Sequence, residues 1–205
     1  IGSHSIAHLL MDALPTLKEK QLSRVIYAIG EMAEPHALSA LKQYENSTNI
    51  EVKKAVIYAY SRIGSPESYK FLASAAKQAN YKYEISEATP ALIRYADVLA
   101  SKGEVELCQK ICKGLIKNCK GQGQVTYALS ALDIMAENFG YKAMDYLLDE
   151  IRNPDKAYRG GVLRSALKIS DVGATRDWIE IYPELSPEAQ EDLLTFFGNR
   201  GDVLA

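Results

Sequence analysis

Cysteine, histidine and tryptophan are all scarce in this chain, at three, three and one among 205 residues. Three cysteines cannot close a self-contained disulfide framework. Cys108, Cys112 and Cys119 fall within one predicted helix, near a common face, where a disulfide is geometrically poor. A thiolate metal site would normally need four nitrogen or sulfur ligands, and no histidine is close in sequence, so these residues read as small buried hydrophobes. Long apolar runs are also missing: none approaches the ~20 residues that span a bilayer, so membrane insertion is not expected. Residues 1–10 lack the basic stretch and cleavage site of a signal peptide. Twenty-four basic against 26 acidic side chains leave a formal charge of -2, which provides no global field for phosphate backbones or anionic membranes. Nucleic acid is therefore not an expected partner.

Catalytic signatures are missing as well. The chain has no Gly-x-Ser-x-Gly elbow, no phosphate-cradling Gly-x-x-x-x-Gly-Lys and no dinucleotide fingerprint. Gly121-Gln122-Gly123 is explained by a loop between helices. His4 and His8 are spaced to share a helical face, but with no third ligand at a readable spacing they read as two solvated histidines. His36 is expected in an exposed first turn without an adjacent carboxylate that would make a proton-transfer pair. Asp149-Glu150 and the group Glu188, Glu191 and Asp192 alternate with bases and read as solvated faces. No catalytic residue, metal or cofactor is expected.

What the chain does have is 47% hydrophobic residues, enough for a continuous core, arranged in a repeat. Val25-Ile26-Tyr27-Ala28 recurs as Val56-Ile57-Tyr58-Ala59, 31 residues on, and each copy leads to a proline at the same offset, Pro35 and Pro66. A helical period of this length marks an α-solenoid. Leu22, Val25, Ile26, Ile29 and Met32 form the stripe of a first helix, A, and Ala37, Leu38 and Leu41 that of a second, B, with Pro35 in its first turn. The second pair, 51–79, repeats this plan. A third pair, 86–101 with 104–117, follows an irregular turn at Tyr81-Lys82-Tyr83. A fourth has Ala131, Leu132 and Met135 on helix A, with Ala143, Met144 and Leu147 on helix B. In the fifth, over 156–182, Val172-Gly173 aligns with Ile63-Gly64, which places Trp178 on Tyr69 and in the core. Residues 187–198 form a sixth A helix, and 6–14 a B helix without its partner. The ends lack the polar outer face of capping repeats, so the single domain 1–205 is expected to be a segment of a longer array or multidomain protein.

The helix pairs, with Ala-x-x-x-Ile-Gly-Ser-Pro-Glu-Ser at 59–68 and Phe-Gly-Asn-Arg-Gly-Asp at 197–202, resemble HEAT repeats of the short bacterial type. The resemblance implies an all-α, right-handed superhelix of five to six helix pairs whose B helices line a concave surface that docks a protein partner or an adjacent domain of the same chain. On that basis His36, Ser39, Lys42, Glu67, Lys70, Ser74, Lys142, Asp145 and Tyr146 are the candidate interaction residues. A narrower similarity, carried by 63–83, Cys108 to Cys112, 153–159 and 198–202, is to the HEAT segment that precedes 3-keto-disaccharide hydrolase-type domains in secreted bacterial proteins, and it implies an exported accessory array. A third alternative, by analogy with DNA glycosylases and lyases built from HEAT-like repeats, would need a basic groove. The basic residues Lys156, Arg159, Arg164 and Lys168 of the fifth A helix read instead as a solvated face. Gly160-Gly161 reads as close packing. Tyr27, Tyr58, Tyr60, Tyr69 and Tyr95 are expected to edge the core, with Tyr141 and Tyr146 as surface candidates.

Overall fold

The computed structural model describes residues 3–120 and 123–201, with side chains from residue 6 onward. Among these residues the fold is all-α, as the HEAT resemblance implied, and no strand occurs. The chain divides into two compact units, 1–111 and 112–205, each a stack of helix pairs.

In the first unit α1 (Ser3–Ala13) is followed by α2 (Glu19–Met32), α3 (Ala37–Leu41), α4 (Ile50–Ile63), α5 (Tyr69–Gln78) and α6 (Ala88–Ser101). The division falls within α7 (Val105–Cys119). Packing follows repeat logic: the A helix α2 lies on the next A helix α4, and α4 on α6, while α1 touches α3 and α5 touches α6. Ile26, Ile29, Val56, Ile57, Ile63, Leu72 and Leu99 form the core. Val25 is only half-buried, so Ile26 rather than Val25 is the innermost residue of the first Val-Ile-Tyr-Ala copy.

Local chemistry explains where these helices start and stop. Asn49 caps α4 by accepting from the amides of Glu51 and Val52, and Gly64 ends it in the left-handed region at φ 61°. The equivalent stop after α2 falls on Ala33, at φ 49°, and Pro35 lies in the turn ahead of α3 rather than within it. α3 is correspondingly short and continues as a 3-10 turn over 42–44. Gly30 is required by the close approach of α2 to α4, because a Cβ there would sit 2.7 Å from the Ala59 Cα. The turn before α6 is as irregular as the sequence suggested: Asn80, Tyr81 and Glu87 all have positive φ.

The second unit contains α8 (Val125–Phe139), α9 (Met144–Glu150), α10 (Lys156–Ala166), α11 (Val172–Ile181) and α12 (Pro187–Arg200). The A helices α8, α10 and α12 pack in succession, and α9 touches α11. Trp178 is fully buried, but the fifth repeat's register differs from expectation. Val172 and Gly173 open α11 behind an Asp171 cap, whereas Ile63 and Gly64 close α4. Val172 therefore corresponds to Pro66, and Trp178 to the buried Leu72 rather than to Tyr69. Gly161 meets the packing expectation, since a Cβ would lie 2.5 Å from a Leu129 methyl, while Gly160 has nothing within 4 Å.

Side-chain bonds between consecutive repeats recur at nearly the repeat length. Tyr95 donates to the Ser65 carbonyl (2.8 Å), Arg94 to Ser61 (3.1 Å), Lys54 to Glu87 (2.5 Å), and Arg62 to Glu31 (3.3 Å). In the second unit Ser165 and Lys168 reach Asp133, at 3.1 and 2.6 Å, and Arg152 reaches Glu184 at 3.0 Å.

Candidate functional site

Five of the nine candidate residues are brought together in the first unit. Between α3 and α5 a groove of three adjoining compartments, with volumes of about 250, 480 and 500 Å³, is lined in succession by Ser39 and Lys42, by Glu67, Lys70 and Ser74, and by Gln78 and Lys82. The compartments join through shared walls: Lys42, Glu45 and Glu67 line the first two, and Lys53, Ala75 and Gln78 the second two. The periodicity of α5 produces this row, because Lys70, Ser74 and Gln78 recur at one-turn intervals on its outer face while Leu72 and Ala76 face the core.

The walls include residues the sequence reading did not select. Tyr60 is 3% exposed and donates its hydroxyl to Glu45 Oε1 at 2.7 Å. Burial, and then this bond, push its phenol well above the ordinary range. Phe71 meets the Tyr60 ring edge-on at 5.1 Å. At the far end Glu84 accepts from the Ser86 amide at 2.8 Å, from the Ser86 hydroxyl, and from the Ala88 amide at 3.3 Å. Burial opposes ionisation of Glu84, but these bonds, with Lys53 nearby, outweigh it and hold the carboxyl below its usual range. Lys53 faces the groove from an A helix, and only the packed structure shows this; the stretch 81–85, with exposed Tyr83 and Ile85, was legible as irregular but not as a wall.

Ser68 carries the least expected feature. It is 2% exposed, lines the first compartment just ahead of α5, and its hydroxyl oxygen has no hydrogen-bond partner among the described residues. A buried hydroxyl left unpaired costs about 1–3 kcal/mol.

The other candidates stand apart from this groove. His36 is exposed, but the expectation that it lacks a carboxylate is wrong: its Nδ1 lies 2.7 Å from Oε1 of Glu34, and its amide donates to the same oxygen at 3.3 Å. Glu34 is only 4% exposed, because the turn after α2 folds it under the chain. Lys142, Asp145 and Tyr146 belong to the second unit, where Lys142 and Asp145 are exposed. Tyr146 is half-buried with the Lys113 ammonium 5.0 Å from its ring centroid, and Tyr141 is exposed.

Several other side chains are placed differently from the sequence reading. Arg159 is 3% exposed, not solvated; it donates to Asp192 at 2.7 Å and to the carbonyls of Asn153 and Pro154 at 3.0 and 2.9 Å. Lys168, just beyond the end of α10, pairs with Asp133 and Glu137, so it and the buried Arg159 are not part of one free basic face. Glu150 is also buried, accepting from Lys120 and from Tyr158, both at 2.8 Å. Cys108, Cys112 and Cys119 are buried, and burial raises the Cys119 thiol to about 11. The His4 and His8 pairing falls outside the described residues, since the His4 side chain is not among them. Among the described residues no group of three His, Cys, Asp or Glu is arranged to hold a metal, and no helix is long and apolar enough to cross a membrane.

Against known families, the model of HEAT repeats matches residues 9–93, a span inside the first unit that runs from α1 into α6 and includes the groove. No curated protein matches the chain.

Proposed function

We propose that the chain is a non-catalytic scaffold and that the α3–α5 face of its first unit docks a protein partner or an adjacent domain. One observation carries this reading: Ser39, Lys42, Glu67, Lys70 and Ser74, chosen as outward residues of successive repeats, line a single continuous groove. Helix pairs stacked in register hold such a groove rigid, so little ordering is lost when a partner docks. The match to HEAT repeats, which generally serve as protein-interaction scaffolds, supports the same reading.

The test places a photo-crosslinking residue at Ser74 in the 205-residue chain and, separately, at Asp145, and compares adducts formed in an extract of the native source. A discrete adduct from position 74 that disappears when Ser39→Arg and Lys70→Glu are added is the expected result. Adducts indifferent to those changes, or formed only from position 145, would reject the groove as the docking face.

A further inference from the structure

The hydrogen-bonding capacity of the groove is one-sided. Lys42, Lys53, Lys70 and Lys82 line it, and none makes an ion pair within 4 Å among the described residues. Of the carboxylates present, Glu45 accepts one bond, from Tyr60, and Glu84 accepts three, from Ser86 and Ala88. Glu67 is the one groove carboxylate without a partner among the described residues. Ser68 adds a buried, unpaired hydroxyl at the start of α5, where the helix amides favour negative charge. Lysines thus outnumber carboxylates in the second and third compartments, whereas Lys42 faces both Glu45 and Glu67 in the first.

The far end differs in kind. The turn between α5 and α6 holds Tyr81 and Glu87 in left-handed backbone, a conformation that non-glycine residues adopt at a cost of about 1 kcal/mol or more. That turn presents Tyr83 and Ile85 at 66% and 63% exposed, beside the compartment that Lys53 and Lys82 line. A donor-rich groove ending in an apolar platform calls for an occupant rich in acceptors with an apolar side chain at one end.

We infer that the groove of the first unit takes an acidic peptide segment, whose carboxylates lie along Lys42, Lys70, Lys53 and Lys82 and whose apolar residue packs on Tyr83 and Ile85. The inference rests on the docking reading and adds the chemistry of the partner. The backbone carbonyls of an extended segment would add further acceptors.

Fluorescence anisotropy with three labelled probes tests this on the intact chain. The first is a short peptide of alternating glutamate and leucine, the second replaces glutamate by lysine, and the third is a single-stranded DNA of equal charge. The acidic peptide is expected to bind, to weaken as salt rises from about 50 to 200 mM, and to lose about tenfold or more in affinity in Lys53→Glu/Lys70→Glu. Tyr83→Ser should weaken it with little change in salt dependence, and Lys142→Glu in the second unit should leave it unchanged. Lys70, Tyr83 and Lys142 are exposed and Lys53 is half-buried, and helical content by circular dichroism checks that each variant folds. Equal or tighter binding of the lysine peptide, indifference to the two lysine reversals, or DNA binding as tight as the acidic peptide at the higher salt would overturn the inference. Failure here with a position-74 adduct still lost on groove substitution would discard the acidic partner and leave the docking face standing.

Discussion

One seam in each unit joins its repeats with a different polar chemistry. In the first, the seam between α2 and α4 is half-solvated: Arg62 and Glu31 pair with 38% and 57% of their side chains exposed, and Tyr27 and Tyr58 meet tilted at 55° with centroids 5.0 Å apart. In the second, the seam between α10 and α12 buries its ion pair, Arg159 at 3% and Asp192 at 11% exposed. Two seams that do the same job in the repeat therefore differ in what their loss costs. A solvated pair exchanges protein bonds for water with little net change, whereas removing one member of a buried pair strands a charge in a poor dielectric.

The largest effect is expected at the buried seam. Arg159→Ala should destabilise the second unit by about 3 kcal/mol, because the carbonyls of Asn153 and Pro154 lose their donor and Asp192 keeps only the exposed Lys156 at 3.8 Å. Hydrogen exchange read by mass spectrometry resolves the units, and the loss of protection should centre on α10 to α12. Arg159→Met combined with Asp192→Leu should recover much of it; failure to recover would mean that the bonds themselves, rather than the stranded charge, hold the seam.

Packing at the two glycine crossings sharpens the contrast. Gly30→Ala sets a methyl against backbone, the Ala59 Cα, and should cost about 1–3 kcal/mol in denaturant titrations. Gly161→Ala meets only the Leu129 side chain, its two methyls and Cγ, which can shift, and gains about 1 kcal/mol of helix propensity, so it should be close to neutral. Equal losses at both sites would break the distinction between backbone and side-chain contact.

These sites also show what was legible in the sequence. Apolar periodicity located the helices and the stacking because burial and helical pitch are local properties, and the period of Val-Ile-Tyr-Ala is a packing period. Gly161 was read correctly because a helix-interior glycine needs a spatial reason. Gly173 was misread because the same residue type can end a helix at positive φ or simply follow a cap, and spacing alone cannot separate the two; a three-residue shift of register for Trp178 followed. Arg159 and Glu150 looked solvated because their partners, Asp192 and Lys120, are about a repeat away. Glu34 and His36 are two residues apart, but the turn that brings them together is set by the left-handed Ala33. Of the groove, the outward row of α5 was readable, while Lys53 and Ser68 required the fold.

Two smaller effects complete the comparison. Arg62→Ala should cost less than about 1 kcal/mol in the same titrations, with any loss fading in high salt. At the groove's end, the Glu84 carboxyl lies below its usual value of 4.5 in the folded chain, so its contribution is present above that value and is lost as pH falls through the folded one. Glu84→Gln should therefore be less stable than the parent near neutral pH, with the gap closing in acid. A gap that persists unchanged below about pH 3 would show that the Ser86 and Ala88 bonds act independently of charge.

Trp178 is the only tryptophan, is fully buried, and meets Phe196 edge-on at 5.8 Å with its indole N–H unpaired among the described residues. The chain therefore carries a single indole emitter, and it lies in the second unit. Its fluorescence follows the melting of α11 and α12, whereas far-ultraviolet circular dichroism follows the helices of both units. Superimposed curves from the two signals would mean one cooperative transition, and separated curves would order the units by stability without any label being added.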